Sequence, residues 1–304
     1  MDDFEENVSG LAKRMRASGK KKFMIQMPEG LKTKAFNIIE ALEKEGFEIT
    51  YAANPTYGAC DLALEEARLA KAEALVHIGH SKFYVDIKAE IPVIYFPWKM
   101  TINFEGIDIS IIKENTIGIV TTIQHTDILD SAKKFLESKG KTAIIGGQIL
   151  GCWAVAAEGI EDKAEAFVFI GSGHFHPLAL KGTKKPIYVI DVEKKTAEKL
   201  DTERFEKRRW ANIYKARDAR SFAILVSTKE GQKELLGVAE EIKKKIEAAQ
   251  KKAIIIIMNE LTEQKLLGIK ADAFVNTACP RLLDDTWSRP MINAGDIGEA
   301  LKNE

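Results

Sequence analysis

Cysteine is scarce, with three residues in a chain of 304. An odd count this small excludes a disulfide-stapled scaffold, and in a reducing compartment such thiols stay unpaired or serve as ligands. Net charge is lacking as well, because 45 Lys and Arg balance 45 Asp and Glu. That balance argues against a dedicated nucleic-acid binder, which usually carries a basic excess. Long apolar runs are missing: Ala253-Ile-Ile-Ile-Ile-Met258 is strand-length, far short of the ~20 residues that span a bilayer. The first 23 residues place acidic side chains ahead of basic ones with no apolar core between them, so they do not read as a secretory signal. A cytoplasmic protein with no membrane and no direct nucleic-acid partner is expected. What the chain does have is 45% apolar and 30% charged residues, enough for packed cores beneath a solvated surface. Its length suits roughly two domains, or three compact ones.

Short β-branched runs alternate with amphipathic stretches. Lys22–Met27 predicts a strand, followed after Pro28-Glu29-Gly30 by a helix over Leu31–Glu45 with Ala35, Ile38, Ile39 and Leu42 on one stripe. Strands are expected at Glu48–Ala52, Ala74–Ile78 and Pro92–Phe96, with a short helix near Leu62–Ala70. The pattern restarts with a strand at Thr116–Thr122 and a helix capped by Thr126 or Asp127 that runs to Gly140. Strands then recur at Thr142–Ile145, Ala166–Ile170 and Pro186–Ile190. It restarts again at Ser221–Ser227, with a helix over Gln232–Ala249 and strands at Ala253–Met258 and Ala273–Asn276. Alternating β and α elements imply parallel sheets, and three rounds imply a triplicated unit. The expected fold class is therefore α/β: three similar domains, each a small parallel sheet flanked by helices, around a pseudo-threefold axis. The expected boundaries are 1–112, 113–195 and 196–304. The third span includes the charged, helix-periodic segment Glu193–Arg220 in its opening part, read as a solvated linker with Trp210 packed on a domain.

Each round contributes one cysteine, and none lies inside a strand. Cys60 and Cys152 follow the second strands of their rounds; Cys279 follows the third strand of the last. Loops at the carboxyl ends of parallel strands are where α/β folds place ligands. Taken singly, a cysteine is most simply a small buried hydrophobe; one per repeat in Gly- or Pro-flanked loops suggests a triangle of thiolates. The separations of 92 and 127 residues do not match the clustered C-x2-4-C spacing usual for zinc. Soft thiolates also suit iron–sulfur clusters. Three thiolates on a four-iron cluster leave one iron open for a substrate, which points to chemistry rather than electron transfer alone.

The ordered motifs carry a resemblance. They are Met27-Pro-Glu-Gly-Leu31, Thr56-Tyr-Gly-Ala-Cys60, Val76-His-Ile-Gly-His-Ser81, Gly147-Gln-Ile-Leu-Gly-Cys152 and Phe169-Ile-Gly-Ser-Gly-His-Phe-His-Pro177. Ala216-Arg-Asp-Ala219 with Ser227–Gln232, and Asn276-Thr-Ala-Cys-Pro-Arg281, complete the set. Together they closely resemble the archaeal 2-(3-amino-3-carboxypropyl)histidine synthases, which open diphthamide biosynthesis. The resemblance implies a 4Fe-4S cluster on Cys60, Cys152 and Cys279, with S-adenosylmethionine bound at the fourth iron. It further implies reductive radical cleavage at the methionine γ-carbon and transfer of the 3-amino-3-carboxypropyl group to C2 of a histidine on translation elongation factor 2. An external electron donor and a homodimer go with it. After Arg281 the likeness loosens, so no role is carried to Asp284 or Asp285.

Other residues follow from position. Glu29, Gly30, His80, Ser81, Gly147, Gln148, Gly171 and Ser172 lie directly after strands and are the expected S-adenosylmethionine contacts; Gly-rich turns there expose N–H groups to an anionic group. For Glu29 the alternatives are a contact to the cofactor's ammonium group and capping of the following helix, and the cap is the favoured one. His174 and His176 are the expected catalytic pair, able to take the proton lost from the modified imidazole because histidine titrates near working pH. His77 reads as a core histidine and His125 as structural. No G-x-G-x-x-G or G-x4-G-K-[ST] fingerprint occurs. Two other readings remain open: a quinolinate-synthase-like dehydratase, using an open iron as a Lewis acid, and a cluster-bearing electron-relay subunit.

Overall fold

A computed structural model of the chain describes residues 4–82, 87–232 and 235–302. The first sheet holds β1 (Lys22–Gln26), β2 (Glu48–Ala52), β3 (Ala74–Ile78) and β4 (Val93–Phe96), in the order β2-β1-β3-β4 and all parallel. The second holds β5 (Thr116–Thr121), β6 (Thr142–Gln148), β7 (Ala166–Ile170), β8 (Ile187–Asp191) and β9 (Thr196–Lys199). Its order is β6-β5-β7-β8-β9, with only β9 antiparallel. The third holds β10 (Ser221–Ser227), β11 (Lys252–Met258), β12 (Ala273–Asn276) and β13 (Met291–Asn293), ordered β11-β10-β12-β13 and parallel. The winding is the same each time: the opening strand is central, the next strand lies to one side and the third to the other. Reversal of strand order between the opening and third strands leaves a crevice at their carboxyl ends. The first two sheets belong to one compact unit, Met1–Leu200, and the third to another, Asp201–Glu304.

The central strands are buried on both faces, which is why they read as continuous β-branched runs. In the first sheet Phe23, Ile25, Val76 and Ile78 pack one face with the helix Ala35–Lys44, while Met24, Leu75 and Ala67 pack the other. The helix Phe4–Ala17, not expected from periodicity, adds Val8, Leu11, Ala12 and Met15 to the first of these cores. No helix among the described residues is long and apolar enough to cross a membrane.

One carboxylate recurs in all three sheets. Glu73 Oε2 accepts the backbone N–H groups of Lys21 and Lys22, Glu165 Oε2 those of Asn115 and Thr116, and Asp272 Oδ2 those of Arg220 and Ser221. Each acid immediately precedes its third strand and clamps the entry to its opening strand. The hydrogen bonds hold the Glu73 and Glu165 carboxyls below the ordinary range, and for Asp272 the Ser221 hydroxyl contributes most. A lowered folded pKa means stabilisation that is complete above the unfolded carboxylate value of about 4 and is lost as pH falls through the folded value. The triple variant Glu73→Gln, Glu165→Gln, Asp272→Asn is therefore expected to be less stable near neutrality. Its urea midpoint should fall less than the parent's between about pH 5 and pH 2; parallel acid limbs would refute the clamp.

Several expected elements are altered. The helix foreseen over Leu31–Glu45 is two pieces, Glu29–Lys32 and Ala35–Lys44, broken where β-branched Thr33 meets Lys34. Neither Thr126 nor Asp127 caps a helix: Ile123–Ile128 is a 3-10 turn leading into the helix Leu129–Ser138. Thr126 Oγ1 donates instead to the Ile123 carbonyl, and Asp127 pairs with Lys99. On the helix Leu235–Ala248, Val238 is 39% exposed, whereas Ala239, Ile242 and Ile246 are buried. The charged segment begins with β9, which pairs with the second sheet beyond the boundary drawn at 195. It continues as the helix Thr202–Arg217, capped by Asp201. Ile213 and Ala216 put that helix into the third core, so it is not a solvated linker. Trp210 stays partly exposed and packs on Tyr214 and Arg209 within the helix.

Candidate functional site

Each thiol sits on a loop whose backbone is held from behind. Gln26, the last residue of β1, is 2% exposed and spends both ends of its amide on the Cys60 loop. Its Nε2 donates to the Asp61 carbonyl (2.7 Å) and to Thr56 Oγ1 (3.4 Å), and its Oε1 accepts from Ala63 N (2.7 Å). Gly151 and Cys152 form a two-residue turn closed by Leu150 N to Trp153 O (2.8 Å) and Trp153 N to Leu150 O (3.1 Å). The Phe175 ring lies against the Gly151 backbone, where any Cβ would overlap it. In the second unit Asn276 does for Cys279 what Gln26 does for Cys60. Its Nδ2 donates to the Cys279 carbonyl (2.9 Å) and its Oδ1 accepts from Ala278 N (2.9 Å). Thr277 Oγ1 ties the same loop to the Leu225 carbonyl.

Cys60 and Cys279 are half-buried and Cys152 is exposed, and none is in a disulfide. Neither unit taken alone gathers three His, Cys, Asp or Glu side chains into a metal-holding group among the described residues. The donor chemistry fits an iron–sulfur centre better than a hard cation. The candidate ligands are soft thiols, each on a loop with a fixed backbone.

Within the first unit, the carboxyl ends of the first and second sheets meet through polar side chains. Gln148 Nε2 donates to Ser81 Oγ (2.8 Å), and Gln124 Nε2 donates to the Gly79 carbonyl (2.9 Å). His77 Nε2 lies 2.9 Å from His80 Nδ1. His80 in turn neighbours His176, and burial together with that neighbour pushes the His80 ring down to about 4. Burial alone brings His176 to about 4, and burial together with the neighbouring His80 places His77 well below the ordinary histidine value. These rings are neutral across the physiological range, so the expectation that His176 titrates near working pH is corrected by its desolvation. Unpartnered buried atoms concentrate here: His77 Nδ1, Gln124 Oε1, His125 Nδ1 and His176 Nδ1.

The expected contacts divide. His80, Ser81, Gln148 and His176 come together. Gly171, at φ +149°, lets the chain turn over Phe169 beside His125, and Gly147 adopts φ +114° at the end of β6. Gly79 (φ +93°) packs so tightly on Pro28 that a Cβ would lie 2.8 Å from the ring, which brings the Pro28-Glu29-Gly30 turn alongside the end of β3. Glu29 itself is exposed and paired with Lys32 (2.5 Å), and Gly30 and Ser172 are exposed. His174 is not part of the group: its Nε2 meets Glu198 Oε1 at 2.7 Å on the exposed rim. Gln26, Asn276 and Gln124 were not foreseen, because nothing in their local spacing reveals which loop their amides will hold.

Comparison with known proteins gives this arrangement a context. Residues 27–304 match the family model described as "Putative diphthamide synthesis protein". The 2-(3-amino-3-carboxypropyl)histidine synthase of Pyrococcus horikoshii is 37% identical over 312 residues, covering 95% of this chain and 88% of that protein. Subunit 1 of the human 2-(3-amino-3-carboxypropyl)histidine synthase is 27% identical, covering 95% and 70% respectively. The crystal structure of Dph2 from Pyrococcus horikoshii with a 4Fe-4S cluster superposes with a TM-score of 0.85 at 36% identity, covering 97% of this chain and 90% of that one. By the extent of these matches, the chain belongs to the diphthamide synthesis protein family.

Proposed function

We propose that this chain is an S-adenosylmethionine-dependent transferase. It places the 3-amino-3-carboxypropyl group on C2 of a histidine of translation elongation factor 2, the first step of diphthamide biosynthesis. The observation that carries this reading is the near full-length likeness to the Pyrococcus horikoshii synthase. The thiol-bearing loops at the carboxyl ends of equivalently wound sheets support it. Cys60, Cys152 and Cys279 are the proposed ligands of a 4Fe-4S cluster, in keeping with the cluster in the solved relative. When bound, that cluster supplies the electron for reductive cleavage and an open iron for the sulfonium substrate.

The chain's own residues then have defined tasks. Which of three sulfonium bonds breaks depends on orientation, so the protein must hold the methionine end in one pose. His80, Ser81, Gln148, Gly147 and Gly171 are the proposed holders, with Glu29, Gly30 and Ser172 at the rim. His176, held neutral by burial, is the proposed acceptor of the proton leaving the modified imidazole. His174, tied to Glu198, is assigned to the rim rather than to that transfer. The working form is proposed to be a cytoplasmic homodimer fed by an external electron donor.

The test is anaerobic incubation of the reconstituted protein with dithionite, S-adenosylmethionine and elongation factor 2. Methylthioadenosine should accumulate, and the factor should gain the mass of one aminocarboxypropyl group. Release of 5′-deoxyadenosine, or an unmodified factor, counts against the reading.

A further inference from the structure

His80 and Ser81 are adjacent on the loop after β3, and each has an acceptor site engaged by a neighbouring side chain. His77 is fully buried in β3, with Nε2 at 2.9 Å from His80 Nδ1 and Nδ1 without any partner. Only two neutral arrangements satisfy that contact. In one, His77 carries its proton on Nδ1, which leaves a buried N–H donor orphaned, the rarer and costlier defect. In the other, His77 donates from Nε2, its bare Nδ1 is the orphan, and His80 Nδ1 is the acceptor. The second arrangement puts the His80 proton on Nε2.

Ser81 is set in the same way. Gln148 Nε2 donates to Ser81 Oγ at 2.8 Å, so the hydroxyl proton of Ser81 is left to point elsewhere. No acceptor for it is found among the described residues. Two neighbouring side chains on one loop thus each present a donor, and the low His80 pKa keeps that ring neutral.

We propose that His77 and Gln148 are positioning residues that turn His80 Nε2–H and Ser81 Oγ–H into a matched donor pair for a carboxylate. The natural occupant is the α-carboxylate of the bound amino-acid substrate. The identity of that substrate rests on the proposed function; the tautomer does not. His80 is then a donor, and His176 remains the site's proton acceptor.

The test compares S-adenosylmethionine with its decarboxylated analogue, which lacks only the carboxylate, by calorimetry on the anaerobic holoprotein. Ser81→Ala should raise the Kd for S-adenosylmethionine roughly tenfold, the worth of one hydrogen bond to a charged group, and His77→Leu, which removes only the tautomer bias, should raise it about twofold. Both should leave the decarboxylated analogue unchanged. His77→Gln, whose Nε2–H occupies the place of the imidazole Nε2–H, should restore binding. In histidine-labelled protein without ligand, long-range nitrogen–proton correlations should place the His80 proton on Nε2, and His77→Leu should produce a mixture of tautomers. A proton on His80 Nδ1 in the unaltered protein overturns the proposal whether or not the chain makes methylthioadenosine. Equal weakening of both ligands overturns it as well, because it marks a general structural role.

Discussion

Anaerobically reconstituted Cys279→Ala protein is expected to lose most of its iron and its visible absorbance, and to release no methylthioadenosine. The parent should hold about four irons per chain, by the stoichiometry of the cluster. The reason lies in the distribution of the thiols. Cys279 is one of the three proposed thiolate ligands, and no other cysteine lies between residues 201 and 304. Two thiolates are a poor holder for a four-iron centre, and an alanine side chain gives no substitute. The substitution should be nearly silent in folding. Cys279 is half-buried on a loop, and its backbone is fixed by Asn276 whatever side chain position 279 carries. Urea unfolding of the apo protein should therefore shift by less than about 1 kcal/mol, which separates lost ligation from lost structure. Full iron retention together with turnover in Cys279→Ala would falsify the proposed ligand set.

The three sheets were legible because their central strands carry their own signal. Runs such as Ala166–Ile170 and Ala74–Ile78 are covered on both faces, and burial on both faces writes itself as unbroken apolar sequence. Elements without that signal were missed. β13 is three residues long, too short for any period. β9 is a charged, largely exposed edge strand whose composition resembles the helix that follows it. The helix Phe4–Ala17 hides its apolar face among acidic and basic residues. The loops of the site were legible for a different reason: positive-φ glycines at 79, 147 and 171 are local requirements, and local requirements leave local marks. The residues that hold those loops leave none. Gln26 reaches Asp61 and Ala63, and His77 reaches His80 from inside a strand. Their partners are chosen by strand pairing, so a polar residue in an apolar run is the only trace they show.

Gln26→Leu is the most damaging substitution expected away from the thiols themselves. The site is buried, so an apolar side chain of similar length fits the volume. The cost comes from the groups left behind. Ala63 N–H and the Asp61 carbonyl lose their partner, and Thr56 Oγ1 loses a contact. A fully stranded main-chain group costs about 1–3 kcal/mol, but Asp61 and Ala63 are half-buried, giving roughly 1–2 kcal/mol for the pair. The urea midpoint should drop accordingly. The same change should also loosen the loop that carries Cys60, because both ends of its span, at Thr56 and Ala63, were tied to one amide. Iron should therefore be stripped by a chelator several times faster from folded Gln26→Leu protein than from the parent, at a urea concentration where neither unfolds. Measuring both quantities separates two roles for the amide. Lower stability with unchanged iron loss would reduce Gln26 to a core residue, and unchanged stability would mean the loop finds other partners. Both changes together are what a buried amide should produce when it supports the fold and the thiol at once.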